Sequence, residues 1–270
     1  MEKNNKKNNV TYLEESKYII ENRENLIKKR KRKKTIIKFF LLTSVLLIIS
    51  LTLLLKLPYF SIKDIVVINN SNVTKDEIIK LSGIKNGNNI FNLNVGSIKD
   101  DILRNPYILK VEIKRKLPDK ILINVNERSA AFYTQKDSNY YIVDKESIVL
   151  EKRSNINTMK LVKLVGYDKN NLVIGQVLPY KDNRKVQVVS NITDLIIDNT
   201  SKINMSIVDV TNLYDIKIYY GNICVKMGDC NNLEGKLNKA ISIIKTQNLQ
   251  NKKGYVDVSF KGNPVFHIEN

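Results

Sequence analysis

An uninterrupted apolar segment over residues 39–55 constrains this chain more than any other feature. Its sequence is FFLLTSVLLIISLTLLL, and it contains no charged residue, no proline and no glycine. At about 1.5 Å of rise per residue, roughly twenty helical residues cross the hydrocarbon core of a bilayer. A helix also satisfies its own backbone hydrogen bonds in lipid. Together with its apolar flanks, the segment predicts a transmembrane helix over residues 36–57.

Two other interpretations of this segment are less favoured. A cleaved signal peptide has an apolar core of about 7–15 residues, followed by a cleavage site of small residues. Here the run is longer and leads into Lys56-Leu57-Pro58-Tyr59-Phe60, without an Ala-x-Ala pattern. A helix of a globular protein normally has a polar face, and this segment lacks one. We therefore expect a retained membrane anchor.

The charges around the segment predict its orientation. Residues 1–35 contain twelve Lys/Arg and five Glu, and the block KKRKRKK at 28–34 adjoins the apolar run. Lys and Arg close to a spanning helix stay on the cytoplasmic side. We therefore expect a cytoplasmic tail over 1–35, with residues 58–270 outside. The basic block could also bind nucleic acid, but membrane topology and attraction to anionic lipid explain it more simply.

The exported part carries no catalytic motif. It contains one histidine, His267, and neither a Gly-x-Ser-x-Gly nucleophile elbow nor a Gly-rich phosphate loop. Cys224 and Cys230 with one distant histidine do not make a zinc site. An exported compartment permits a disulfide between them but does not require one. The sequence therefore predicts no enzyme, no cofactor, no metal and no small-molecule substrate.

Residues 58–128 predict a small two-layer α+β domain with the order β-α-α-β-β. Thr74 opens a capping box and Gly83 can end the first helix. Asn94 or Ser97 can cap the second helix. Leu109 begins the alternation expected of a buried strand face. The five elements are expected at 62–68, 74–83, 94–104, 109–113 and 121–125.

Residues 129–270 predict a larger β-domain that combines one sheet with two helices. The strand at 255–260 is expected at a sheet edge, where its free backbone can pair with a strand of a partner. Lys261 and Pro264 could instead blunt that edge, and the sequence does not separate the two interpretations. Strands are expected at 130–134, 140–144, 148–151, 161–165, 172–178, 207–210, 216–220, 223–227, 255–260 and 265–268, with helices at 182–198 and 233–244.

This layout resembles the FtsQ/DivIB family of bacterial cell-division proteins over residues 28–268. That family has a cytoplasmic tail, one membrane helix, a POTRA domain and a β-domain. The chain departs from it at Lys145-Glu146-Ser147, where the family usually has a glycine, and near 161–166, where it tends to have a proline. The resemblance lies in FSIKDIVV at 60–67, the helix at 74–83, the run from NPYILKV to VNER over 105–128, YIVD at 141–144, and residues 236–258.

The resemblance implies a non-enzymatic, single-pass membrane scaffold of the division complex at the septum. It implies that the terminal strands bind an FtsB/DivIC-type partner, which pairs with an FtsL-type protein. Components of septal peptidoglycan synthesis are a further expected class of partner. The contact residues carried over from the family are Ser259, Phe260, Lys261, Gly262 and Phe266.

Two alternatives remain at this point. One is a POTRA-containing component of envelope transport or assembly, although such proteins carry several POTRA repeats or a β-barrel, and neither is visible in this sequence. The other, less favoured, is a membrane-anchored enzyme acting on the wall.

Overall fold

The computed structural model describes residues 2–197 and 204–269. An N-terminal apolar helix is followed by a small α+β domain and a larger β-rich domain, which confirms the predicted fold class. The chain folds as two units. The first comprises residues up to Lys63 together with Gly87–Asn92 and Leu117–Asp119, and the second comprises Asp64–Asn86, Leu93–Lys116 and the chain from Lys120 onward.

The first unit is dominated by α1, Glu2–Leu55, one helix that contains both the basic tail and the apolar segment. By length and composition it can cross a membrane, and none of its most apolar stretch is buried by protein. Thr43, Ser44 and Thr52 each donate a hydrogen bond to the carbonyl three residues earlier, at 2.8–2.9 Å. The helix therefore exposes apolar side chains and satisfies these hydroxyls internally, as lipid requires.

The end of α1 is held by neighbouring residues of the first unit. The Asn89 side-chain amide donates to the carbonyl of Leu55 at 2.8 Å, and so caps one of the last free carbonyls of the helix. Beyond the helix, the rings of Phe60 and Phe91 meet edge to face with centroids 5.1 Å apart. The helix therefore ends in a packed segment of the chain.

The small α+β domain has the predicted order β-α-α-β-β. The elements are β1 (Asp64–Ile68), α2 (Lys75–Ser82), α3 (Val95–Leu103), β2 (Ile108–Lys116) and β3 (Lys120–Glu127). The three strands lie in the order β1-β3-β2, with β1 parallel and β2 antiparallel to β3. Fully buried isoleucines from both helices and from β3 form the interior of the domain.

The helix ends of this domain confirm the predicted caps. Thr74 Oγ1 accepts a hydrogen bond from the Glu77 amide at 3.2 Å, and Gly83 adopts a left-handed φ of 63° after α2. For α3 the cap is Asn94, whose side chain accepts from the amide of Ser97 at 3.3 Å. These short polar side chains satisfy amides that the first helical turn leaves free.

The expected burial of Leu109 is wrong. Its side chain is 43% exposed, whereas Ile108 and Val111 are buried. The pairing of β2 with β3 shifts register between Ile108 and Lys110. This β-bulge adds a residue, and so reverses the face on which the following side chain lies.

Over its described residues, 129–197 and 204–269, the β-rich domain contains one sheet of nine strands and the two expected helices. The elements are β4 (Ala130–Lys136), β5 (Asn139–Asp144), β6 (Val149–Arg153), β7 (Val162–Val165), α4 (Arg184–Ile197), β8 (Ile207–Asp209), β9 (Ile216–Tyr220), β10 (Ile223–Gly228), α5 (Leu233–Thr246), β11 (Gly254–Asp257) and β12 (Val265–Ile268). The sheet order is β12-β11-β10-β9-β8-β7-β4-β5-β6. A cluster of buried apolar residues from the sheet, α4 and α5 forms the core. Residue 198, the last residue of the helix predicted over 182–198, lies outside the described residues.

The strand predicted over 172–178 is wrong. Its β-branched residues favour a strand, but Gly175 turns the chain with a φ of 83°. The turn still bonds to the sheet, because the Gly175 amide donates to the Val149 carbonyl at 2.7 Å and the Val149 amide donates to the Gln176 carbonyl at 2.9 Å.

The expectation that the strand at 255–260 lies at a sheet edge is also wrong, because β11 is the second strand of the sheet. β11 ends at Asp257 and is covered on both sides, by parallel β10 and by antiparallel β12. The Asp257 carboxylate accepts from the amide of Ser259 at 3.0 Å and from its hydroxyl at 2.6 Å. This Asx-type turn ends the strand before Phe260. The edge strand at this end of the sheet is therefore β12, and β6 forms the opposite edge.

Candidate partner-binding edge

The backbone of β12 has one bonded side and one open side. The amide of Glu269 donates to the carbonyl of Lys253 at 2.9 Å, which identifies these two opposed residues as a hydrogen-bonded pair of the β11–β12 ladder. Because antiparallel pairs alternate, the backbone groups of His267 bond to β11, while those of Phe266 and Ile268 point away from it. Within residues 2–197 and 204–269, no strand pairs with that outer side. β12 therefore offers free donors and acceptors to an added strand.

Exposed apolar side chains lie along this open edge. Val265 is 51% exposed and Phe266 43%, and Phe260 in the preceding loop is 49% exposed. The Phe260 ring lies against Gly262, where an added Cβ would be 3.0 Å from two ring carbons. Apolar groups beside unpaired strand backbone are the combination by which sheet edges bind extended peptides.

A groove of about 340 Å³ adjoins the edge, between the β11–β12 loop and the start of α5. Ser259, Phe260, Lys261 and Gly262 line it, whereas Phe266 lies on the edge strand itself. Sequence reasoning missed the helix side of the groove, which includes Lys239.

Three of the groove residues, Asp229, Lys236 and Ser259, make contacts that stabilise the fold. Lys236 Nζ contacts the Asp229 carboxylate at 2.6 Å and thereby lowers the pKa of that carboxyl. Ser259 packs on Gly228, where an added Cβ would be 2.8 Å from the serine Cβ. The groups of the groove that a partner can reach include Phe260 and the exposed lysines Lys239 and Lys261, and Ser259 is also exposed.

The opposite face of the terminal strands is held by ring contacts. Lys226 Nζ lies 3.9 Å from the centroid of the Tyr255 ring, a cation–π contact. The Tyr255 and His267 rings lie across β11 and β12 with centroids 5.8 Å apart. Cys224 and Cys230 are free thiols, and Cys224 lies half-buried in β10. His267 therefore contributes to strand packing.

Two of the segments that carry the family resemblance meet at the junction between the small and large domains. Arg128 Nη1 donates to Asp144 Oδ2 at 2.7 Å and also to the Glu146 carboxylate. The side chains of Arg128 and Asp144 are only 16% and 2% exposed. Burial raises the pKa of Asp144, while hydrogen bonds from the Ile148 amide and from Arg128 oppose that shift. The pair is a buried ion pair next to the chain connection between the domains.

A second contact at this junction involves a tyrosine of the same resembling run. Tyr107 Oη donates to Glu151 Oε1 at 2.6 Å, and Arg153 Nε lies 2.7 Å from the same oxygen. Burial is the larger cause of the raised pKa of Tyr107, and the hydrogen bond to Glu151 raises it further. Side chains of the small domain thus bond directly to β5 and β6 of the large domain and to the turn between them.

Comparisons with known proteins agree with this architecture. Residues 60–128 match the family described as POTRA domain, FtsQ-type, and residues 131–259 match the family described as cell division protein FtsQ/DivIB, C-terminal. Cell division protein DivIB of Clostridium botulinum (strain Hall) is 47% identical over 222 residues, which are 82% of this chain and 87% of the relative. Cell division protein DivIB of Clostridium acetobutylicum is 46% identical over 222 residues, 82% of this chain and 88% of the relative.

A more distant relative matches a smaller part of the chain. Cell division protein DivIB of Bacillus subtilis (strain 168) is 38% identical over 97 residues, 36% of this chain and 37% of the relative. The two domain matches and the long clostridial alignments together identify the chain as a member of the FtsQ/DivIB family of cell division proteins.

Proposed function

We propose that this protein is a membrane-anchored, non-enzymatic scaffold of the division complex that binds a partner's extended segment along β12. The family gives the role in division, and the observation that supports the binding mode is the open outer side of β12, flanked by exposed Phe260, Val265 and Phe266. Main-chain bonds to an added strand would supply affinity, and the apolar side chains would supply specificity.

The proposed topology follows the charge pattern. Residues 1–35 are cytoplasmic, 36–57 span the membrane, and the POTRA domain (58–128) and the β-domain (129–270) lie outside at the septum. The basic block at 28–34 supports this orientation.

The proposed partners are division proteins of the FtsB/DivIC and FtsL types, and through them the septal peptidoglycan synthase. The exposed lysines beside the groove favour a partner segment with acidic residues next to its apolar ones. The direct contact would be with the FtsB/DivIC-type protein.

Phe260→Ala combined with Lys261→Glu is expected to weaken binding of an FtsB/DivIC-type ectodomain about fivefold or more, because it removes one apolar contact and reverses one charge. Calorimetric titration of the full chain in neutral detergent measures the change.

The matched control is Ile174→Ala with Lys252→Glu, which changes an apolar side chain of similar exposure and one exposed lysine elsewhere. Equal affinities of the two double variants would rule out the assigned loop as part of the binding surface.

A further inference from the structure

A second groove, of about 1000 Å³, lies at the carboxyl ends of three parallel strands. β4, β7 and β8 are adjacent and parallel, and the residues that follow each of them line the groove. β4 is followed by β5 on one side, whereas β7 is followed by α4 and then by β8 on the other. The groove therefore lies between the turn of the β4–β5 hairpin and the connection from β7 to α4.

The lining of this groove is cationic. Four lysines contribute to it, Lys163, Lys169, Lys181 and Lys185, and they outnumber the two carboxylates, Asp137 and Asp168. Lys181 precedes α4 and Lys185 lies in its first turn, while the Asp182 carboxylate accepts from the Arg184 amide at 3.0 Å and so occupies the amino end of the helix. Lys169 and Lys181 are exposed.

Lys185 is the buried member of this set, with only 8% of its surface exposed. Its Nζ donates to the carbonyls of Gly166 and Thr211, both at 2.9 Å. Among the described residues its ammonium has no carboxylate ion-pair partner, and its third N–H has no protein acceptor. Burial lowers the pKa of Lys185, while the nearby carboxylates of Asp182 and Asp209 oppose that shift.

The backbone around Lys185 is held closely in place. Gly166 adopts a φ of +110°, and an added Cβ would lie 2.5 Å from the amide nitrogen of Thr211. This close approach brings together the two carbonyls that orient the ammonium. The cation is therefore positioned by packed backbone at the ends of β7 and β8.

We propose that this groove binds a phosphate group, carried by a soluble phosphate ester or by a lipid headgroup. A buried ammonium with a free donor supplies the charge, and lysines bind phosphate as point charges. The volume leaves room for the group to which the phosphate is attached. None of the residues assigned to the partner-binding edge lines this groove, so the two sites can be tested separately.

The test is calorimetric titration of the full chain in neutral detergent with inorganic phosphate, pyrophosphate and short-chain phosphatidylglycerol. Lys169→Gln with Lys181→Gln is expected to weaken binding about tenfold, because it removes two exposed charges and leaves the backbone contacts intact. Lys245→Gln with Lys252→Gln, an equal loss of charge on exposed residues elsewhere, is expected to leave binding unchanged. Lys185→Met is expected to abolish binding, and its fold is checked by circular dichroism.

Each outcome bears on the proposal. Binding of phosphate or pyrophosphate that falls only in the groove variants supports a soluble ester, whereas the same pattern with phosphatidylglycerol alone supports a lipid headgroup. No binding of any of the three by the unaltered chain overturns the proposal. Equal binding by the groove and control variants also overturns it.

Discussion

Arg128→Met is expected to lower the free energy of unfolding by about 3–5 kcal/mol, because it leaves the Asp144 carboxylate buried without its ion-pair partner. The carboxylate is almost fully covered by protein, so water cannot replace the guanidinium. Urea unfolding of the full chain in neutral detergent, followed by fluorescence of the 13 tyrosines in a chain that lacks tryptophan, measures the loss.

Arg128→Met combined with Asp144→Asn is the matched control. The asparagine oxygen can still accept from the amides of Glu146 and Ile148, as the carboxylate does at 2.9 and 2.7 Å, but it carries no charge. The double variant should therefore be more stable than the single one. An equally unstable double variant would show that Arg128 stabilises the fold by packing alone.

The pH dependence gives an independent readout. Without Arg128, burial raises the pKa of Asp144 further above its unfolded value, so the folded state binds a proton more tightly than the unfolded state. Stability contributed by that proton increases as the pH falls through the folded pKa. The deficit of the single variant should therefore shrink as the pH is lowered from about 7 towards about 4. A deficit that is constant with pH would contradict an unpaired buried charge.

Phe266→Pro is expected to weaken binding of an FtsB/DivIC-type ectodomain roughly tenfold or more, because proline removes an outward N–H of β12 and places its ring at the open edge. The bonds to β11 should survive, since the backbone groups of Phe266 point away from that strand. Proline is tolerated in edge strands for the same reason. Calorimetry on the full chain in detergent measures the affinity.

Phe266→Ala separates backbone from side chain at the same position. It keeps the N–H and removes the ring, so it should bind more tightly than the proline variant. Equal affinities for the two variants would mean that the Phe266 side chain, and not strand pairing, carries the interaction. Native-like circular dichroism confirms that the proline variant is folded.

Much of the fold could be predicted because its signals are local. The charge-free run at 39–55 defines an apolar helix by its length alone, and Thr74, Gly83 and Asn94 mark helix ends through contacts within three residues. Alternating apolar residues identified the β2–β3 hairpin. The order of elements follows from such short-range patterns.

The identity of the edge strand could not be predicted in the same way, because it depends on the order of strands in the sheet. The sequence predicts strands at both 255–260 and 265–268 near the end of the chain. Only the pairing between the two strands decides which one has neighbours on both sides. The contact of Arg128 with Asp144 is also non-local, since it joins residues 16 positions apart. The bulge that exposes Leu109 has no signal of its own in the alternating pattern.

One departure from the family pattern has a structural explanation. Ser147 lies in the Lys145-Glu146-Ser147 turn, where the family usually has a glycine, and it adopts a left-handed φ of 64°. Its side chain is buried, and its hydroxyl accepts a hydrogen bond from Tyr180 Oη at 3.0 Å. That bond favours serine at a backbone conformation suited to glycine.

Photo-crosslinking in dividing cells tests the proposed strand pairing most directly. The full chain would carry p-benzoylphenylalanine in place of Phe266 on β12, or in place of Ile174 as an exposed control outside the edge. We predict a covalent product between position 266 and the extracytoplasmic part of an FtsB/DivIC-type protein, with no such product from position 174. Absence of that product from position 266, or equal yields from both positions, would contradict partner binding at the β12 edge.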